Sequence, residues 1–428
     1  MKALLKRVML VALVIASLVL ALIAVALIPR ENIRQHVAES ALYLTSDKEY
    51  FYPAVPGTNC SRLDRIADSV LLGIAYSYNS NHPLESVIWS KYYQAEGKLK
   101  NESLLDAVNE DLPANTQYLR YWHGSLIFVR SLLLIWNIEQ IYVFFTVVLA
   151  MLFMWLLGLL LRNGLKLEAI TVTVSMIAVN IWFVPFCLEY IWMFLVCLIA
   201  SIVAVNMAQR RKEEDYGVLF LLIGIVAGFI DFLTTETITL LIPLMLVLRI
   251  KFRQGKCCSW KFIMRSGILW GIGYGGMWAL KWGFASIVLH ESVIPYLADS
   301  FELHTSVSTS DPTIKYIFDA LLKNIACLFP VGYGSIGVVA GLILLAATIF
   351  IPIARNSVSV RRTIDWHRIA LFAFLGALPY IRYMVLHFHA WYHYFFTYRA
   401  QASSVLALCF IIRELVRFNP RKAVETDA

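Results

Sequence analysis

Asp64 and Asp68 stand four residues apart in the stretch RLDRIADSVLLGIAY (62–76), with Arg65 one turn from Asp68. On a helix that spacing puts both carboxylates on one face. A carboxylate held in such a place can act as a general base, taking a proton from an attacking hydroxyl. The apolar residues Leu63, Ile66, Val70, Leu71 and Ile74 recur at helical spacing. The stretch therefore predicts an amphipathic helix lying along a membrane surface. A solvated acidic face with no chemical role is the plain alternative.

Three more clusters carry polar chemistry. YLRYWHGSLIFVR (118–130) holds Arg120, Trp122, His123 and Arg130. Aromatic side chains gather at membrane boundaries for purely physical reasons, but the cationic and titratable groups among them suit an anionic lipid headgroup. GFIDFLTTE (228–236) places Asp231 and Glu236 beside apolar runs, where an ionisable group is costly and normally faces protein interior or a wet cavity. Helix capping accounts for one of these acids and not both. PYIRYMVLHFHAWYHYFFTYR (379–399) is the densest, with His387, His389, His393, Arg382, Arg399 and Trp391. His389 and His393 could share a metal on one helical face, yet no HExxH and no neighbouring acid accompanies them. A divalent metal is thus allowed rather than required, and no metal site is assigned. An aromatic belt is the alternative for this segment. Lys281 and Arg382 lie inside apolar runs, and a phosphate held by charge-assisted bonds would explain both.

The elements that must position these groups follow from composition. The 428 residues are 59% hydrophobic and 15% charged, with mean hydropathy +0.67; a soluble domain is nearer a quarter charged. The apolar excess falls in runs at 8–28, 139–161, 167–186, 188–208, 216–230, 236–250, 262–286, 333–354, 368–386 and 400–413, several of them near the ~20 residues needed to span hydrocarbon. Lys and Arg fall in every second loop: Lys6 and Arg7, Arg162 and Lys166, Arg210 to Lys212, Arg249 to Arg265, Arg355 to Arg368, and Arg413 to Lys422. The short turns Pro185–Glu189 and Asp231–Glu236 hold none. By the positive-inside rule both termini are then cytoplasmic. The expected fold is an all-α, multi-pass cell-membrane protein of about ten transmembrane helices, with amphipathic surface helices in a large first outer loop. The chain reads as one membrane domain over 1–428, with extracytoplasmic segments at 29–138 and 286–332. The first run is longer than a signal-peptide core and is expected to remain as an anchor.

Several function classes are excluded or left open by these patterns. The net charge of +8 is spread over separate inner segments that meet anionic lipid, so nucleic acid is not an expected partner. No GxxxxGK[ST] occurs, and the inner loops are too short for a nucleotide-binding domain. Among seven cysteines only Cys60 and Cys327 fall in outer segments, either as one disulfide or as two free thiols.

The layout, together with LDRIAD, RYWHGSLIFVRSLLLIWN and GFIDFLTTETITLLIPL, resembles the GT-C superfamily of membrane glycosyltransferases. The resemblance implies a large first outer loop with surface helices and a catalytic acid, here Asp64 or Asp68. It implies a polyprenyl-phosphate-linked sugar as donor, and a glycan, lipid or protein acceptor at the outer face of the cell envelope. Attack on the anomeric carbon would invert it, and the leaving phosphate would need fixed cations, for which Arg120, Arg130, Lys281, Arg382 and Arg399 are candidates. Aromatics near Trp122 and Trp391 would stack on sugar faces. Two other classes compete. A secondary transporter or flippase of a lipid-linked or small anionic substrate would use broken helices, and Gly224, Gly228, Gly271, Gly273, Gly275 and Gly276 mark either such breaks or close packing. A non-catalytic membrane scaffold would explain the aromatics but not the acids.

Overall fold

The structure, a computed structural model, describes residues 2–46, 51–55, 58–210, 215–290, 292–296, 298, 313–329, 339, 342–343, 346 and 358–418. It is helical, with two short antiparallel strand pairs, β1 (Phe51–Pro53) with β2 (Arg62–Asp64) and β3 (Val358–Val360) with β4 (Val416–Phe418). The helices in chain order are α1 (Lys2–Ala26), α2 (Arg34–Ser46), α3 (Arg65–Ser77), α4 (Pro83–Trp89), α5 (Lys100–Asn109), α6 (Leu126–Leu132), α7 (Ile138–Arg162), α8 (Lys166–Ala178), α9 (Leu188–Gln209), α10 (Tyr216–Ile230), α11 (Ile238–Arg253) and α12 (Trp260–Leu289). There follow α13 (Thr313–Ala326), α14 (Trp366–Val385), α15 (His387–Tyr392), α16 (Tyr394–Thr397) and α17 (Ala402–Leu415).

Five stretches are long and apolar enough to cross a membrane: Leu5–Ala26, Ile138–Arg162, Leu188–Gln209, Trp366–Val385 and Tyr394–Leu415. Their length and composition mark a membrane protein. Other expected runs differ from their prediction. The run at 167–186 is interrupted, because Asn180 takes a left-handed φ of 54° and Pro185 sits in a 3₁₀ turn, Ile181–Phe186. Proline has no amide hydrogen to continue the ladder. α10 and α11 are 15 and 16 residues long, shorter than a usual span. The run at 333–354 lies almost wholly outside the described residues, as does much of 286–332.

The chain divides into two compact units. The first comprises Met1–Ala54, Arg62–Leu159 and Trp182–Ser300. Within it α10 lies along α12, and α9 packs on α11. Glycine permits the first of these contacts. A Cβ on Gly224 would stand 2.1 Å from the Trp270 carbonyl oxygen, one on Gly273 2.3 Å from that of Leu221, and one on Gly228 2.5 Å from that of Tyr274. These three positions are close-packing sites. Gly271, Gly275 and Gly276 face open space.

α3 starts where Asp64 accepts the Ala67 amide at 3.0 Å, the usual work of an N-cap carboxylate. It is not the surface helix that its periodicity suggests. Arg65, Asp68, Ser69 and the apolar Leu71, Leu72 and Ile74 are all buried, because α3 packs against α2, α5, α6 and α9. Its polar side is covered by tertiary partners that local spacing does not reveal.

The second unit comprises Val55–Ser61, Leu160–Ile181 and Phe301–Ala428. α14 packs on α17 with Gly376 against Ala407, and the Ser404 hydroxyl donates to the Gly376 carbonyl at 2.7 Å. α8 is tied to α17 by Arg413 Nη1, 2.6 Å from Glu168 Oε1, a carboxylate whose side chain is 1% exposed. Removing one partner of a buried pair strands the other charge. Arg413→Ala should cost about 3 kcal/mol, and adding Glu168→Gln should recover most of it. Denaturant unfolding of the single and double variants checks this.

Candidate functional site

The acids of the first unit converge where β2 runs into α3. Tyr190, in the first turn of α9, donates its hydroxyl to the Arg62 carbonyl at 3.1 Å. The Leu188 amide, at the N-terminus of α9, donates to Asp68 Oδ1 at 2.8 Å. The Tyr142 hydroxyl of α7 donates to Asp68 Oδ2, and the Cys187 thiol leans on Oδ1 at 3.6 Å. Arg65 reaches the Tyr142 and Tyr43 hydroxyls at 3.3 and 3.4 Å. Both oxygens of Asp68 are thereby engaged, and the carboxylate sits at the positive end of the α9 dipole. Asp68 is a joint between α3, α7 and α9. Burial pushes its carboxyl up to about 6, and the Tyr142 hydroxyl and Arg65 pull against that rise.

Asp64 is differently placed. One oxygen caps α3, and the residue is 3% exposed. Burial pushes its carboxyl up to about 7 against the Ala67 amide, and the nearby Asp68 charge pushes the same way. The same joint carries Glu189, one residue past Leu188. Its carboxylate lies within electrostatic reach of Asp64, Asp68 and Asp231. Glu189 is half-buried, and its Oε2 has no hydrogen-bond partner among the described residues. Sequence reasoning missed Glu189. The signal that finds it is the one used for Asp231, an acid at the border of an apolar run.

Asp231 closes the turn between α10 and α11. Its carboxylate accepts the Leu233 and Thr234 amides at 3.0 and 3.1 Å, the Thr234 hydroxyl at 2.9 Å and the Tyr274 hydroxyl of α12 at 2.7 Å. Burial, reinforced by Glu236, raises it to about 6. Asp231 thus organises the turn, while Glu236 is buried beside it.

The segment 118–124 lies against α10 and α12. The Gly124 amide donates to the Phe229 carbonyl at 3.1 Å, and a Cβ there would meet the Phe229 ring at 2.3 Å. Arg120 spreads over the rings of Tyr118 and Tyr121, 5.8 and 5.6 Å from their centroids. Tyr118 lies within electrostatic reach of Arg120 and Glu189, and Tyr121 of Arg120, Asp231 and Glu189. Both phenols therefore lie within reach of the same guanidinium and of Glu189. Tyr121 also packs edge-on against Phe232 and Trp278. Half-buried Tyr118, Arg120, Glu189, Phe232 and Trp278 form the open margin of this cluster.

Other expected residues of this unit serve the scaffold. Trp122 is 1% exposed, donates its indole N–H to the Met277 carbonyl at 2.7 Å and packs on Phe229 and Phe284. It offers no open face for a sugar. Lys281 is wholly buried, donates to the Val87 carbonyl at 2.7 Å and lies over the Trp122 ring. Arg130 bonds the Ile28 carbonyl and covers Tyr78. His123 is 1% exposed, and its Nε2 lies 3.0 Å from the Tyr118 carbonyl. Burial lowers its imidazole to about 3, so at neutral pH it carries no charge to offer a phosphate.

The remaining expected residues belong to the second unit. Arg399 is fully buried and donates to the Phe395 and Cys60 carbonyls at 3.2 and 3.1 Å. Arg382, His387 and His389 are also buried. The rings of His389 and His393 are 4.9 Å apart, yet among the described residues no group of three or more His, Cys, Asp or Glu is arranged to hold a metal ion. Trp391 is held by Tyr316, Phe388 and the Lys323 ammonium 4.0 Å above it. Cys60 and Cys327 are buried and are not joined in a disulfide. Compared with known proteins, the chain matches no family model, no curated protein and no solved structure.

Proposed function

We propose that this chain is a multi-pass cell-membrane glycosyltransferase of the GT-C kind, with both termini cytoplasmic. On this reading it moves a sugar from a polyprenyl-phosphate donor to an acceptor hydroxyl at the outer face. The observation that carries the reading is the Asp64–Glu189 pair, two carboxylates within electrostatic reach of each other, one raised to about 7. A general base works best with a pKa near the operating pH, and perturbed carboxyls gather at functional sites. The pair takes the acceptor proton as the hydroxyl oxygen bonds to the anomeric carbon. The bond from that carbon to the phosphate oxygen breaks, and polyprenyl phosphate leaves with the electron pair. Arg120 offsets the charge that develops there. The Tyr118 and Tyr121 hydroxyls, kept protonated by burial, supply neutral donors, and Trp278 and Phe232 supply apolar faces for the sugar.

The test is release of polyprenyl phosphate by purified full-length protein given a polyprenyl-phosphate sugar and a panel of acceptors. The base must be ionised to act, and its carboxyl is raised rather than lowered. The rate should therefore climb as pH rises, with a midpoint near 7, and level off above it. A flat profile from about pH 5 to 9 would remove the raised carboxyl from the reaction. Labelling that finds residues 60–70 on the cytoplasmic side would overturn the topology.

A proton-coupled transporter is the second reading, favoured by the same raised carboxyls, since buried acids serve as proton relays. It predicts pH-driven uptake into vesicles and no product from the donor.

A further inference from the structure

A groove of about 440 Å³ lies between α1, α10 and α12, away from the acid cluster. Its wall is almost entirely apolar, formed by Val8, Val11, Ile15, Leu221 and Leu269 among others. All its charge sits at one end. There Arg7 Nη2 lies 2.6 Å from Asp215 Oδ2, and Arg265 Nη2 lies 3.8 Å from Asp215 Oδ1. Asp215 Oδ1 also caps α10 through the Val218 amide at 3.4 Å. One carboxylate thus anchors two guanidiniums, whose side chains remain 51% and 62% exposed. Among the described residues the mouth carries two positive charges against one negative.

We infer that this groove holds an acyl chain of an anionic phospholipid, whose phosphate rests between Arg7 and Arg265. Two features select this occupant. Beyond the charged mouth the slot is lined for hydrocarbon, which suits a tail and not a soluble anion. The surplus positive charge at its mouth suits a headgroup with net negative charge, because basic pockets between spans favour such lipids. A zwitterionic headgroup brings its own cation, which the guanidiniums repel. Arginine further suits phosphate because its planar fork donates two parallel hydrogen bonds. The N-terminus of α10 adds a positive dipole end on the same side.

Native mass spectrometry of the full-length protein tests this, using nanodiscs of equimolar dioleoyl phosphatidylcholine and dioleoyl phosphatidylglycerol. Retained lipid should be enriched in phosphatidylglycerol. Arg265→Gln should lower that enrichment about fivefold, the factor expected for one basic side chain at a membrane surface, and Arg265→Lys, which keeps the charge and loses only the fork, should lower it less. Ala12→Trp, which fills the slot and leaves both arginines in place, should abolish retention. Equal retention of the two lipids, unchanged retention in Ala12→Trp, or a dimer mass in place of bound lipid would each overturn the assignment. None of these readouts depends on sugar transfer.

Discussion

Asp64→Asn and Glu189→Gln are each expected to lower kcat for sugar transfer by about 10² to 10⁴, the usual contribution of a positioned base, while the protein keeps its thermal stability. The asparagine side chain put in by the first change can still cap α3, since Asn and Asp serve that position almost equally. Glu189→Gln replaces an ionisable group of a crowded acidic cluster by a neutral one of the same shape and leaves no donor stranded, because Glu189 Oε2 has no partner among the described residues to lose. Asp68 behaves in the opposite sense. Asp68→Ala strands the Tyr142 hydroxyl and the Leu188 amide at a cost of about 3 kcal/mol. Its loss of activity should follow its loss of fold and recover at lower temperature. Measuring kcat and unfolding temperature on the same preparations separates the two outcomes. Full turnover in both Asp64→Asn and Glu189→Gln would take the base out of the mechanism.

The second large effect is architectural. Gly224→Leu drives a side chain into the Trp270 carbonyl, where even a Cβ would stand 2.1 Å away. Backbone cannot yield as a side-chain tip can, so α10 and α12 must separate. The expected loss is about 3 kcal/mol or more, the upper range for overpacking. Gly271→Leu, whose Cβ would meet nothing within 4 Å, is the control and should change stability by less than about 0.5 kcal/mol. Chemical denaturation in detergent and the monodisperse fraction on size exclusion report both. Separation of α10 and α12 would also disturb the turn that Asp231 and Tyr274 hold together, so activity should fall with stability.

Part of this was legible in the sequence, for reasons that differ by residue. The apolar runs announce helices because only backbone bonds within the segment satisfy its polar groups in lipid. Asp231 was legible as a buried polar group beside an apolar run, but not in its role: no side chain caps α11, which begins after Thr237, and the Asp231 carboxylate instead holds the Leu233 and Thr234 amides of the turn. The glycines of α10 and α12 were legible as a set, but not which of them face a neighbour, since that depends on the rotation of each helix. Asp64 and Asp68 looked equivalent at helical spacing. They are not, because Asp64 stands just outside α3 and Asp68 within it, and α7 and α9 supply the donors that occupy Asp68. Trp122 and Lys281 looked like ligand contacts because their types suit sugars and phosphates. Their carbonyl partners, Met277 and Val87, lie far away in the chain, and no local pattern points to them. Glu189 was hidden by its position, one residue into a run read as a plain span.

α1 carries one further lesson. Nearly all of its apolar window faces outward, and its fixed points are the Arg7–Asp215 pair and its contacts with α4, α6 and α10. Most of its outward leucines and valines answer to lipid alone, which recognises greasiness and not order. That face can drift, shuffle its letters or be swapped for a foreign apolar stretch with little consequence, while Arg7 and the side chains lining the groove stay under constraint.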